Sequence, residues 1–275
     1  MSETKTKQSI IDTLNAEPNN LVQRLLLLFV VLALVIWGNS GSNFSLTEKG
    51  FNIAKAIFRG ITHPETLLLF NWTVKGIPYL LLETISIAFL GTLIGAILSV
   101  PVSFLSATNI VPKWLAYIFR AITLLIRTIP SLIWALIWIR VTGPGAFCGV
   151  VTQSICSIGM ISKMYITAIE NLDTGVLEAL DAAGCNTFEK IRCGVIPQLS
   201  ASFISTAIYR FDINLKDATI LGVVGAGGIG FPLNDAIGQA RWNRVGAIVI
   251  CLIVLVIIIE YISTKIRARL ARGRA

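Results

Sequence analysis

Four charged side chains interrupt otherwise apolar runs and are the first candidates for chemistry: Arg127, Arg210, Asp212 and Lys216. A charge inside an apolar span is costly and needs a partner or a purpose. A guanidinium can engage two oxygens of one anion at once. Arg127, Arg210 or Lys216 could therefore line a path and attract an anion. The competing reading is mutual neutralisation. Asp212 and Lys216 stand at i,i+4 and can pair on one helix face, while Arg210 and Asp217 stand seven apart, two turns along one face. In that case the charges hold one helix in place, with Asn214 between them and Glu83 near the outer end of another apolar run.

Glycines supply a second pattern. Gly225-x-Gly227-x-x-Gly230, with Gly228 inside it, matches the dinucleotide fingerprint. That fingerprint needs a strand before it, a helix after it and an acid roughly 20 residues on. No acidic residue lies between Asp235 and Glu260, and an apolar run opens near Val245. The nucleotide reading is set aside: clustered glycines next to spans allow unwound backbone and close packing near a gate. The chain has no GxxxxGK[ST] phosphate loop, so any ATP chemistry belongs to a separate chain. The lone histidine, His63, cannot complete a zinc site, and Cys148, Cys156, Cys185, Cys193 and Cys251 include no CxxC pair. They read as packing residues or free thiols. No cofactor, metal or covalent chemistry is expected on the chain.

The elements that must position these groups are membrane helices. Of 275 residues 55% are hydrophobic and 14% charged, and mean hydropathy is +0.76; soluble domains carry about a quarter charged residues. Several runs exceed the roughly 18 apolar residues that mark a membrane helix. The spans are expected at Leu21–Gly38, Tyr79–Ala107, Trp114–Ile139 with a kink at Pro130, Val141–Ser162, within 195–240, and Val245–Ser263. The first run lacks a small-residue cleavage site and reads as a retained helix. Between the first two spans, Lys49, Lys55 and Arg59 alternate with Phe51, Ile53, Ile57 and Phe58, the pattern of an amphipathic helix on the membrane surface. Gly91, Gly95, Ser99, Ser103 and Ala107 fall every fourth residue along the second span, one ridge where a neighbouring backbone can come close, and Pro101 is expected to kink it.

The net charge is +8, but it does not suit nucleic acid, because the cations flank apolar runs rather than forming a basic stripe. With both termini inside, 13 Lys and Arg fall on the inner side and 7 on the outer side, while Arg127, Arg210 and Lys216 lie within spans. That excess places the termini, and the polar stretch 163–194, in the cytoplasm.

The cytoplasmic stretch reads as two short helices. Asp173 or Thr174 can cap the first, Gly184 stops it, and Asn186 with Glu189 forms a capping box opening the second, which runs toward Pro197 at the start of the next span. The loop carries an alanine-rich exposed face that another protein's groove could approach.

Here the chain resembles importer-type ABC permeases, whose loop reads E-A-A, three residues, G, nine residues, then I-x-L-P. Glu178, Ala179, Gly184 and Pro197 stand at the matching spacing, with Asp181 inside the motif; Leu180 replaces the second alanine and Gly194 the isoleucine. Downstream, Tyr209-Arg210-Phe211-Asp212-Ile213-Asn214, then Gly222-Val223-Val224-Gly225-Ala226-Gly227-Gly228-Ile229-Gly230, are similar to the phosphonate branch of those permeases. So are Ser106-Ala107-x-Asn109-x-Val111-Pro112 and Gly143-Pro144-Gly145-Ala146-Phe147. The likeness runs from roughly Thr84 to the C-terminus.

The reading that follows is an all-α polytopic membrane protein with six spans, of type I ABC importer permease kind, both termini cytoplasmic. Residues 1–20 form a cytoplasmic tail, 21–78 the first helix and an exterior amphipathic segment, 79–265 the permease core with its ATPase-coupling loop at 163–197, and 266–275 a basic tail. The resemblance implies a homodimer in the bacterial cytoplasmic membrane, two ABC ATPase subunits on the cytoplasmic side, an extracytoplasmic phosphonate-binding protein, and lipid around it. It implies phosphonate import, with phosphite or phosphate as the alternative cargo. Glu178, Ala179, Asp181, Gly184 and Pro197 would dock the ATPase. Arg127, Arg210, Asp212, Asn214, Lys216 and the glycines at 225, 227, 228 and 230 would form the path or gate. An ion-coupled carrier would leave the Glu178–Pro197 spacing unexplained, and a membrane enzyme would need a clustered nucleophile or base that the chain does not offer.

Overall fold

The computed structural model describes residues 21–40, 48–73 and 76–271. The expected tail at 1–20 lies outside the described residues, as do Arg272 and Arg274 of the basic tail. Among the described residues every regular element is helical. The chain divides into two units, Met1–Ile53 and Ala54–Ala275.

The first unit holds α1, Leu21–Ser40, whose stretch Val22–Gly38 is apolar but shorter than a full span. A helix apolar all round suits lipid rather than one buried face. The amphipathic helix α2, Glu48–Thr62, begins in this unit and ends in the second.

The second unit is built on α3, Ile77–Ser106, and α6, Ala146–Glu170. The small-residue ridge of α3 is their seam. A Cβ on Gly91 would stand 2.6 Å from Gln153 Cβ, and one on Gly95 would collide with Ser157. Ser99 and Ser103 are fully buried on the same ridge. Lipid gives two apolar helices no reason to associate, so close packing and hydrogen bonds must hold them. The hydroxyls are satisfied within their own helix: Thr84 donates to the Leu80 carbonyl (2.7 Å), Thr92 to Ala88 (2.6 Å) and Ser99 to Gly95 (2.6 Å).

The third expected span is broken rather than kinked. Lys113–Thr128 (α4) and Ser131–Thr142 (α5) meet at 88°. Pro130 has no N–H to continue the helix and forces the residue before it to be extended; Ile129 sits at φ −89°, ψ 120°. The fourth expected span is displaced: Val141 belongs to α5, and α6 runs on past Ser162 to Glu170, because Tyr165, Ile166 and Ile169 stay buried in the core.

The loop helices are α7, Thr174–Ala182, and α8, Thr187–Lys190. Pro197 does not open a separate span. A π turn at Ile191–Val195 carries the chain from α8 into α9, Ile196–Val223, so that Thr187–Val223 is one run of 37 residues. The wider turn lets the Ile196 N–H reach back to Ile191 and absorbs the proline that would otherwise break the helix. A glycine loop leads to α10, Gly230–Gly238, and the chain closes with α11, Trp242–Ala271.

Among the described residues four helices are long and apolar enough to cross a membrane: α3, α6, Thr187–Val223 and α11, with α4–α5 a fifth if the bent pair is one span. The six-span expectation then rests, for its first member, on the shorter helix α1.

Candidate coupling loop and translocation cavity

The loop at Glu178 is capped at its helix ends. Asp173 caps α7 by accepting from the Gly175 N–H (3.0 Å). Gly184, at φ +78°, ends it; the Gly184 N–H donates to Asp181 (2.9 Å) and the Cys185 N–H to Leu180 (3.0 Å). The positive φ is why glycine stands there. The capping box forms in both directions: Glu189 N–H to Asn186 Oδ1 (2.9 Å) and Asn186 N–H to Glu189 Oε2 (2.7 Å). An Asp181–Lys190 ion pair ties α7 to α8. This leaves Glu178, Ala179, Ala182 and Ala183 exposed on one side. The two departures from the family pattern meet: a Cβ on Gly194 would lie 2.5 Å from Leu180 Cδ1. Phe188, on α8, is 70% exposed. Sequence reading missed it, although a lone aromatic inside a polar capping segment is a legible signal for a partner contact.

The loop is anchored by Glu170, Thr108 and Arg120, which the sequence reading did not single out, together with Ser106 and Asn109, which it did. Glu170, the last residue of α6, accepts from the Thr108 N–H (2.9 Å) and from the Thr108 hydroxyl, and pairs with Arg120. Arg120 Nε donates to the Ser106 carbonyl (2.8 Å), and Asn109 Nδ2 to the Ile169 carbonyl (2.9 Å). One carboxylate thus fixes the α3–α4 turn against the foot of the loop, and the Ser106–Pro112 pattern acquires a physical role. At the other end of the loop Val195 is buried with Phe104, Ile161 and Tyr165.

The candidate path residues separate into three places. Arg127 and Arg210 share one cavity of about 300 Å³ with Cys156, Met160, Pro130 and Asp217. Arg210 is 7% exposed. Its Nε donates to Ser157 Oγ (3.2 Å), and Nη1 approaches Met160 Sδ (3.1 Å). Asn214 lies behind it, fully buried, donating to Thr92 Oγ1 and Ser157 Oγ (2.8 Å each), while Gln153 donates to the Asn214 carbonyl (2.8 Å). Ser157 therefore receives both side chains, and the Arg210 guanidinium is held by this polar cluster rather than by a carboxylate.

Asp212 and Lys216 are not paired with each other. Asp212 meets Arg267 (3.3 Å) and Lys216 meets Glu260 (3.1 Å), both on α11. A carboxylate and an ammonium one turn apart pair only if no better partner faces them, and α11 supplies opposite charges to each.

The glycines form the third place, away from that cavity. Gly225, Gly227 and Gly228 have φ of +98°, +82° and +73°, and a helix, not a strand, precedes them. The loop folds back on the starts of α3 and α6. The Ile229 N–H donates to Thr84 Oγ1 (2.9 Å) and the Gly145 N–H to the Gly225 carbonyl (2.9 Å). A Cβ on Gly227 would stand 2.7 Å from Ala146 Cα and 3.1 Å from Glu83 Oε1. A Cβ on Gly230 would strike the Thr219 carbonyl. Along α9, then, the loop lies at one end, the Arg210 cavity midway, and the glycine turn at the other end.

The family model for binding-protein-dependent transport system inner membrane components matches residues 99–272. The chain belongs to this family. It is 39% identical over 189 residues to the phosphate-import permease protein PhnE of Mycolicibacterium smegmatis, a match covering 68% of this chain and 36% of that protein. It is 33% identical over 188 residues to the phosphite transport system permease protein PtxC of Stutzerimonas stutzeri, covering 68% of each. The chain thus spans little more than a third of the first relative's length and about two thirds of the second's. Among solved structures, the inward-facing MetNI methionine ABC transporter aligns with TM-score 0.61 at 22% identity over 69% of this chain and 94% of that one. The two chains share a fold.

Proposed function

We propose that this chain is the membrane subunit of an ATP-driven importer of phosphorus oxyanions, phosphonates first, with phosphite or phosphate as the alternative. The observation that carries the reading is the shared Arg127–Arg210 cavity halfway along the helix that begins at the Glu178 loop. Guanidiniums match phosphoryl oxygens two at a time. The motif resemblance to the phosphonate branch and the names of the two relatives support the same ligand chemistry.

In this reading two copies form the pore in the bacterial cytoplasmic membrane, with termini inside. Two ATPase chains bind below and an extracytoplasmic binding protein delivers ligand above. Glu178, Ala179, Asp181 and Gly184 present the docking face, and Phe188 enters the partner's groove. Closure of the ATPases on ATP moves the loop; α9 carries the motion through Pro197 to Arg210, Asn214 and the turn at Gly225–Gly230, and hydrolysis resets it. Asp212 and Lys216 hold α9 to α11 and take no part in binding the ligand.

The test is uptake of labelled methylphosphonate by the chain reconstituted with its ATPase and binding protein, with phosphate and phosphite as competitors. Uptake scarcely blocked by phosphate supports the phosphonate cargo. Strong competition moves the cargo to phosphate or phosphite. Uptake that needs neither partner nor ATP sinks the importer reading.

A further inference from the structure

A second cationic cavity, of about 570 Å³, lies where the end of α2 meets the start of α11. Its walls hold three guanidiniums and an imidazole: Arg59 and His63 from α2 and its exit, Arg241 and Arg244 from the turn into α11. Glu65 is the one carboxylate among the lining residues, and Trp242 the one indole. No ion pair among the described residues engages Arg59, Arg241 or Arg244. One carboxylate against three guanidiniums leaves the cavity with an excess of positive charge, and like charges repel one another unless an anion joins them.

The gathering is imposed by backbone rather than left to mobile side chains. A Cβ on Gly60 would collide with the Trp242 carbonyl, and one on Gly246 with the Gly60 carbonyl, so the two helices touch main chain to main chain. The Glu65 N–H donates to the Asn243 carbonyl (3.1 Å). The turn itself is tight: the Arg241 N–H donates to Ala236 (2.9 Å), and Ala240 adopts φ +53°. A non-glycine residue held in the left-handed region is a small strain, and it lies immediately before Arg241 of the cavity wall. The positive end of the 30-residue helix α11 adds to the same field.

We propose that this cavity binds a phosphoryl anion, either the headgroup of an anionic phospholipid or free phosphate or phosphonate. The inference stands apart from the transport reading, since it concerns binding at a different pair of helices and is measured without ATP or partners.

The experiment uses the full chain purified in detergent. One arm measures equilibrium binding of labelled inorganic phosphate; the other measures retention of phosphatidylglycerol by native mass spectrometry. At least one probe binds the wild type, and R241Q/R244Q lowers its affinity tenfold or more. R59Q, which reaches the cavity from the other helix, lowers it several-fold, while R140Q, an exposed charge elsewhere, leaves it unchanged. Loss confined to the lipid arm identifies a headgroup site; loss in the phosphate arm identifies a site for the free anion. The proposal is overturned if the wild type retains neither probe, or if R241Q/R244Q and R59Q bind as the wild type does. Should the double variant fail to fold, R59Q decides alone.

Discussion

Leu180 occupies the space that Gly194 leaves empty: its Cδ1 lies 2.5 Å from where a Gly194 Cβ would stand. The two positions at which the loop departs from the family pattern are thus a matched exchange, large for small on α7 and small for large on the π turn. Gly194→Ile should cost about 1–3 kcal/mol, the range for overfilling a packed site. It should also weaken co-purification with the ATPase. Adding Leu180→Ala should restore most of both. A thermal melt in detergent with a pull-down checks this, and a double variant no better than the single one refutes the pairing.

Asp217 shares the cavity with Arg127 and Arg210, so it opposes an entering anion. Asp217→Asn should lower the apparent KM for methylphosphonate uptake several-fold, and Arg210→Ala should cut uptake tenfold or more while the protein still assembles. If Arg210→Ala instead abolishes the folded protein, the guanidinium is structural. The Arg210→Lys variant, which keeps the charge but loses the Ser157 geometry, then separates the two roles.

Glu170 gathers two donors from Thr108 and the charge of Arg120. Glu170→Ala leaves these groups part-buried and unanswered, a loss of about 1–3 kcal/mol. The expected result is a lower melting temperature together with ATP hydrolysis no longer matched to uptake. Glu170→Gln, which can still accept from Thr108, should lie between. Equal stability of all three proteins would remove the hub from the account.

Gly95 faces Ser157 across the α3–α6 seam with no room for a side chain. Gly95→Leu should destabilise by about 1–3 kcal/mol or more through overpacking, and Gly95→Ala by less. Because Ser157 also holds Arg210 and Asn214, the larger variant should impair uptake beyond its loss of folded protein. Uptake per folded molecule is the measurement.

What the sequence made legible followed from local chemistry. The α7 stop at Gly184, the Asn186–Glu189 box and the small-residue ridge each depend on residues within a turn or two of one another. So does the placement of Arg210 and Asp217 on one cavity. What was hidden depended on a distant element. Nothing near Asp212 or Lys216 reveals that α11 brings Arg267 and Glu260 to face them. Nothing near Pro197 shows that a π turn upstream lets the helix pass through it. The Glu170 hub joins residues some sixty positions apart, and only folding brings the Thr108 turn to it.

The unbroken run from Thr187 to Val223 sets a mechanical ratio. Val195, buried in the core, is its natural fulcrum. At about 1.5 Å of rise per residue, the loop arm from Thr187 is about 12 Å long and the arm to Arg210 about 22 Å. A tilt about Val195 would therefore return a push at the loop nearly doubled and in the opposite direction at the guanidinium. In the proposed importer, the bulge that carries the helix past its proline would also make it a lever with unequal arms, small strokes at the ATPase end becoming larger ones at the Arg210 cavity. Paired spin labels near Thr187 and Arg210, read with and without ATP, measure that ratio directly, and equal displacements at both ends would mean the helix slides rather than tilts.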